Sequence, residues 1–193
     1  MNKTVIFDFF GVFCHDMTLE WLKKNVNDWE SLLPRFLALC SKSDYGTISR
    51  TGFNFEIARL TGIPVEQVAQ GIKNEAVINN PLVEYTRKLK KNGYKTACLS
   101  NGTHEWTTQV ITDYHLHDLF DEIILSGDLG IVKPDPRIYA KTLKILGIDT
   151  TKAIFVDDRK VNINAAESCG IQSLLFTDTQ KIIKDFEVLG IKV

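Results

Sequence analysis

The stretch Thr4-Val5-Ile6-Phe7-Asp8, running on into Phe9-Phe10-Gly11-Val12, decides the fold. Thr4–Phe7 is a short apolar run without alternation, the pattern of a strand covered on both faces. A lone strand leaves its N–H and C=O groups unpaired, so it needs partners elsewhere in the chain. None follows directly. From about Met17 to Val77 apolar residues recur at helical spacing: Leu19, Leu22 and Val26; Leu32, Phe36 and Leu39; Phe55 and Ala58; Val65, Val68, Ala69 and Ile72. Pro34 sits near the start of the second helix or kinks it. Gly62-Ile63-Pro64 separates the third helix from the fourth.

After Asn79-Asn80-Pro81 the rhythm changes. A helical stripe of Leu82, Tyr85 and Leu89 ends at Asn92-Gly93, and the run Tyr94–Leu99 ends in Ser100-Asn101-Gly102. A helix from about His104 is followed by Ile123-Ile124-Leu125, a helix over Pro134–Leu146, and Ile154-Phe155-Val156 ending in Asp157-Asp158. A short helix to Gly170, the run Ser173–Phe176 and a helix near Thr179–Leu189 complete the chain. Strands alternating with helices predict an α/β fold, an open, doubly wound parallel sheet with helices on both faces. The first strand joins that sheet if the intervening helices are an insertion. The predicted division is therefore a core of 1–14 and 81–193, with a helical cap at 15–80. Two sequential domains would strand Thr4–Phe7 without partners.

The chain has 193 residues, 44% of them hydrophobic. That is enough to bury a core without disulfides or metal. Lys+Arg number 23 and Asp+Glu 24, a net charge of -1, which argues against a nucleic-acid binder. No apolar run approaches the roughly 20 residues of a membrane span, and Met1-Asn2-Lys3-Thr4 leads into the first strand without a signal peptide. Cys14, Cys40, Cys98 and Cys169 form no CxxC and read as reduced core thiols of a cytoplasmic protein. The oligomeric state is not legible.

Three apolar runs end in polar chemistry: Phe7-Asp8, Leu99-Ser100-Asn101 and Val156-Asp157-Asp158. Ligands of open parallel sheets bind outside the carboxyl ends of the strands, so these residues are expected to meet. Lys133, in Gly130-Ile131-Val132-Lys133-Pro134, stands just before a helix. Three converging carboxylates repel one another unless a cation neutralises them. A hard, oxygen-ligated ion such as Mg²⁺ suits them, and the set suits an anionic, phosphorylated small-molecule substrate. Taken singly, each residue has an ordinary reading: a turn cap at Asp8, a turn at Ser100-Asn101-Gly102, a solvated lysine at Lys133.

Phe7-Asp8-Phe9-Phe10-Gly11-Val12, Leu99-Ser100-Asn101-Gly102, Lys133-Pro134 and Phe155-Val156-Asp157-Asp158, in that order, resemble the four motifs of the haloacid dehalogenase-like hydrolase superfamily. Tyr45-Gly46-Thr47-Ile48-Ser49 resembles a signature of its helical-cap (C1, subfamily I) phosphatase-like branch, akin to sugar-1-phosphatases and the N-terminal domain of epoxide hydrolases. The resemblance implies a Rossmann-like core and a hydrolase forming an aspartyl-phosphate on Asp8. Ser100, Asn101 and Gly102 would bind the phosphoryl group and Lys133 would neutralise it. Asp8, Asp157, Asp158 and the Phe10 carbonyl would hold Mg²⁺.

One position departs from the pattern. Phosphatases of the family usually carry an acid two residues after the nucleophile, and here that position is Phe10. Loss of a general acid/base costs about 10²–10⁴ in rate, least for leaving groups that depart without a proton. Three readings stay open: a variant phosphatase, a metal-independent 2-haloacid dehalogenase, or an impaired member that binds a ligand or partner. Asp157-Asp158 argues against the dehalogenase. His15 is a candidate replacement acid and Asp16 a weaker one, although a loop histidine is the plainer reading of the first. His104 reads as a first-turn helix residue, and His115 and His117 fall on different helix faces. Arg87-Lys88 and Lys90-Lys91 read as a solvated face.

Overall fold

In strand β1 (Thr4–Phe7) all four residues are buried, as a run without alternation requires. The computed structural model describes residues 3–191 and residue 193. Met1 and Asn2, where the leader reading begins, lie outside the described residues. β1 is the middle of a five-stranded sheet of order β3-β2-β1-β4-β5, formed with β2 (Lys95–Ser100), β3 (Glu122–Leu125), β4 (Ala153–Asp157) and β5 (Gln172–Leu175). Every pairing is parallel. Thr4 to Phe7 align with Lys95 to Cys98 on one side and with Ala153 to Val156 on the other.

Four helices fill the chain between β1 and the core: α1 (Met17–Asn25), α2 (Trp29–Asp44), α3 (Arg50–Thr61) and α4 (Val65–Asn74). Then come α5 (Asn80–Lys91), α6 (His104–Asp113), the short α7 (Ser126–Leu129), α8 (Pro136–Leu146), α9 (Lys160–Ser168) and α10 (Thr179–Val188). The sheet is covered on both faces. Val5, Phe7, Cys98, Ile154 and Val156 pack with Leu82 and Leu89 of α5 and Ile182 and Phe186 of α10. Ile6, Ala97, Leu99 and Phe155, one position out of phase, pack with Ile138 and Tyr139 of α8 and Ile163 and Ala166 of α9. Each such buried side chain contributes about 1.5–3 kcal/mol. The first cluster continues into the four inserted helices through Trp21, Leu22, Phe36, Phe53, Ile57, Val68 and Ile72. Gly71 lets Trp21 lie against α4, since a Cβ there would sit 2.2 Å from the indole Nε1.

Three local expectations shift. Pro34 lies inside α2, not at its start. The helix expected at Pro134 begins at Pro136, because the Asp135 carboxylate accepts from the Arg137 N–H as its cap. Phe55 is 60% exposed, and the buried face of α3 is instead Phe53, Asn54 and Ile57. Among the described residues no helix is long and apolar enough to cross a membrane.

Crossovers from β1 and β4 run in opposite directions along the sheet. The gap between their carboxyl ends is therefore the topological switch point, where open α/β sheets bind ligands.

Candidate active site

Asp8 and Asp157 occupy that gap. The Asp8 N–H donates to the Val156 carbonyl (2.8 Å), extending the β1–β4 ladder by one bond. Beyond it, the N–H groups of Val12, Phe13 and Cys14 converge on the Phe9 carbonyl, coiling the loop tightly. Gly11 takes φ +89°, and a Cβ there would fall 2.4 Å from Asp158 Oδ2. Only glycine combines that backbone with that approach.

Lys133, 2% exposed, reaches this point from the loop after α7. Its Nζ donates to Asp157 Oδ2 (2.7 Å) and the Leu99 carbonyl (2.9 Å), and lies 2.8 Å from Asp8 Oδ1. All three ammonium hydrogens thus have partners. Asn101 fixes the lysine's backbone reciprocally: its Nδ2 donates to the Lys133 carbonyl (3.0 Å) and its Oδ1 accepts the Lys133 N–H (2.8 Å). Asp157, fully buried, accepts further from the Arg159 N–H (2.8 Å) and from Asn162 Nδ2 (2.9 and 3.0 Å).

Carboxylate oxygens of Asp8, Asp157 and Asp158 lie within 4.8 Å of one another. Burial is the main cause that pushes the Asp8 carboxyl up to about 7, and Lys133 opposes it. Burial and the neighbouring Asp157 raise Asp158 as well. Burial disfavours the charge of Lys133, but Asp8 and Asp157 outweigh it and hold its pKa above the usual lysine value. Two cations, Lys133 in contact and Arg159 farther off, face three acids. The surplus negative charge and all-oxygen donors fit a hard divalent ion.

The site opens into a cleft of about 200 Å³, smaller than the roughly 300–1,000 Å³ of typical ligand pockets. Its floor is Asp8, Phe10, Gly11, Asn101, Gly102, Lys133, Asp158, Arg159 and Asn162; the inserted helices supply Asp16, Met17, Thr18, Cys40, Ser43, Asp44 and Phe53 as the facing wall. Phe10 presents a phenyl ring to the cleft, edge-on to Phe9 at 5.1 Å. Ser100 is fully buried at the end of β2 and makes no part of the lining. His15 and His104 are exposed and stay outside it.

The wall is fastened to the sheet domain at named points. Ser126 Oγ accepts the Gly102 N–H (3.0 Å) and donates to the Asp44 carbonyl (2.5 Å). Gly46 packs so closely on Gly127 that a Cβ would lie 2.4 Å from the Gly127 oxygen. Glu105 accepts the Arg50 N–H at the start of α3 (2.6 Å), and the Arg50 guanidinium lies 5.3 Å from the Trp106 ring. Sequence reasoning passed over Asp44, Ser126 and Arg159. Asp44 had one legible signal, an acid at the end of a predicted helix, where the dipole disfavours it.

A parallel sheet bearing Asp8, Lys133 and Asp157 at its switch point is the frame of a hydrolase family, and a family model for haloacid dehalogenase-like hydrolases matches residues 2–170. The chain belongs to that family. It is 34% identical over 107 residues to the phosphoglycolate phosphatase of Aquifex aeolicus, covering 54% of this chain and 50% of that protein. It is 28% identical over 116 residues to the rat bifunctional epoxide hydrolase 2, covering 57% of this chain but 21% of that protein. The chain thus spans about a fifth of the length of that relative. Among solved structures, a HAD family enzyme from Bacteroides thetaiotaomicron superimposes with a TM-score of 0.80 at 22% identity, covering 94% of this chain and 98% of that one.

Proposed function

We propose that the chain is a Mg²⁺-dependent phosphatase acting on a small phosphorylated metabolite through an aspartyl-phosphate on Asp8. The observation that carries this reading is Lys133 bridging Asp8 and Asp157 beside Asp158. Phosphoryl transfer needs positioning and charge neutralisation above all, and a 2-haloacid dehalogenase has no use for a second cation site. The same B. thetaiotaomicron enzyme has been solved with magnesium and inorganic phosphate, which supports the reading by analogy of fold.

In this reading Asp8, Asp157, Asp158 and the Phe10 carbonyl hold Mg²⁺, which when bound neutralises phosphoryl charge. Asp8 Oδ1 is held by Lys133 and by the Phe9 N–H (2.7 Å), so Oδ2 attacks phosphorus. Lys133 opposes the burial that raises the Asp8 carboxyl and faces the phosphoryl oxygens. Asn101 holds Lys133 in place and has a second amide hydrogen for the phosphoryl group, with Gly102 and Ser100 shaping the turn behind it. The small cleft admits a phosphoryl group and a few further atoms, which favours small metabolites. Residues 15–80 act as a cap over a core of 1–14 and 81–193.

The test is phosphate release from acyl phosphates, sugar 1-phosphates and small phosphate monoesters, with Mg²⁺ and with EDTA, for wild type and Asp8→Asn. Release that requires Mg²⁺ and vanishes in Asp8→Asn is expected. No release from any substrate, or halide release from 2-haloacids without metal, overturns the reading.

A further inference from the structure

A phosphate monoester cleaved at Asp8 needs a proton for its leaving oxygen, and the side chain two residues on, Phe10, carries none. In-line displacement puts the leaving oxygen on the far side of phosphorus from Asp8. That side is the helical wall.

The titratable residues lining the cleft are Asp8, Asp16, Cys40, Asp44, Lys133, Asp158 and Arg159. Asp8, Lys133 and Asp158 belong to the phosphoryl end. Asp16 caps α1, accepting from the Leu19 N–H (3.1 Å) and from Thr18 Oγ1 (2.9 Å). The Cys40 thiol is pushed far up by burial, and arginine does not give up its proton. Asp44 remains. It is the last residue of α2, where the helix dipole is negative and a carboxylate is disfavoured. Its main chain is tied through Ser126 to the Gly102 turn, which fixes it over the cleft. Burial first, then Asp16, push its carboxyl up to about 6, with Arg159 and Lys133 opposing. A carboxyl in that range exchanges protons near neutrality.

We propose that Asp44 supplies from the helical wall the acid/base function that Phe10 cannot. The inference rests on the phosphatase reading. As Asp8 Oδ2 bonds to phosphorus, the bond from phosphorus to the leaving oxygen breaks and that oxygen takes the Asp44 proton. Water then attacks phosphorus from the vacated side, gives a proton to the Asp44 carboxylate, and the bond from phosphorus to Asp8 breaks. The sum is ester plus water to alcohol plus phosphate.

The experiment measures kcat/KM from pH 5 to 9 for wild type, Asp44→Asn, Asp44→Glu and Asp8→Asn, each with Mg²⁺, on a simple alkyl phosphate and on acetyl phosphate. Asp44→Asn is expected to slow the alkyl ester by about 10²–10⁴ and acetyl phosphate tenfold or less, because acetate leaves without a proton. For the alkyl ester the wild-type rate rises as Asp8 ionises and falls at higher pH as Asp44 loses its proton; that falling limb is lost in Asp44→Asn and partly restored in Asp44→Glu. Equal slowing of both substrates, or slowing of neither, overturns the inference while the phosphatase reading stands on Asp8→Asn. Phosphate release from neither substrate by the wild type fails the phosphatase reading, and the inference with it.

Discussion

Lys133 Nζ stands between Asp8 Oδ1 at 2.8 Å and Asp157 Oδ2 at 2.7 Å, with all three side chains almost wholly withdrawn from water. Removing one partner of a buried ion pair leaves an uncompensated charge and costs about 3–5 kcal/mol. Lys133→Met should lose that much stability in urea unfolding at pH 8 with EDTA. The loss should shrink at pH 5, where Asp8 takes up a proton. An equal loss at both pH values would show that packing, not charge, is at stake.

Asp44 carries a stability signature of its own. Its folded pKa, about 6, lies above the ordinary 3.8. The folded state therefore holds the proton longer than the unfolded chain, and stability falls as pH rises from about 4 through about 6. Asp44→Asn cannot ionise. It should be more stable than wild type by about 1–2 kcal/mol at pH 8, after allowance for solvent screening, and no more stable at pH 3.5. Denaturation curves at the two pH values decide it, and a gain at pH 3.5 would reverse the sign argued here.

Gly11→Ala asks the backbone to keep φ +89° with a Cβ 2.4 Å from Asp158 Oδ2. Strain of this kind costs about 1–3 kcal/mol, and relieving it moves Asp158. The variant should melt lower and show a smaller rise of melting temperature with added Mg²⁺ than wild type. An undiminished Mg²⁺ response would remove Asp158 from the metal site.

Ser126→Ala leaves the buried Gly102 N–H without its acceptor and releases the Asp44 carbonyl. An unsatisfied buried group costs about 1–3 kcal/mol. Amide hydrogen exchange should quicken at the end of α2 more than in α5. Uniform quickening would mean a general loss of stability, not a loosened wall.

Strand positions and the three strand-end motifs were legible because each rests on local pattern: an apolar run, then polar residues. Their convergence followed from one topological rule about parallel sheets. Asp44 was not legible as a site residue because nothing within α2 says which residues lie across the cleft; only the packing of that helix against Ser126 and Gly127 decides it. Phe55 misled for a related reason. Its spacing from Ala58 is helical, but the neighbouring face of α3, through Phe53 and Ile57, meets the rest of the protein. The start of α8 slipped by two residues because the cap that sets it, Asp135, follows a proline that looks like a first helical residue.

The central place of β1 bears on how the molecule is made. During synthesis Thr4–Phe7 leaves the ribosome before either of its neighbours in the sheet, which begin at Lys95 and Ala153. Closing contacts across such sequence distances is slow, because the loop entropy must be met before the pairing rewards it. Helices α1 to α4 pack on one another and emerge before either neighbour. Until those neighbours arrive, the nascent chain carries an apolar strand with both edges bare. Such an edge invites pairing with another chain, so the interval before Val156 arrives is the one in which this protein depends most on being kept apart from its own copies.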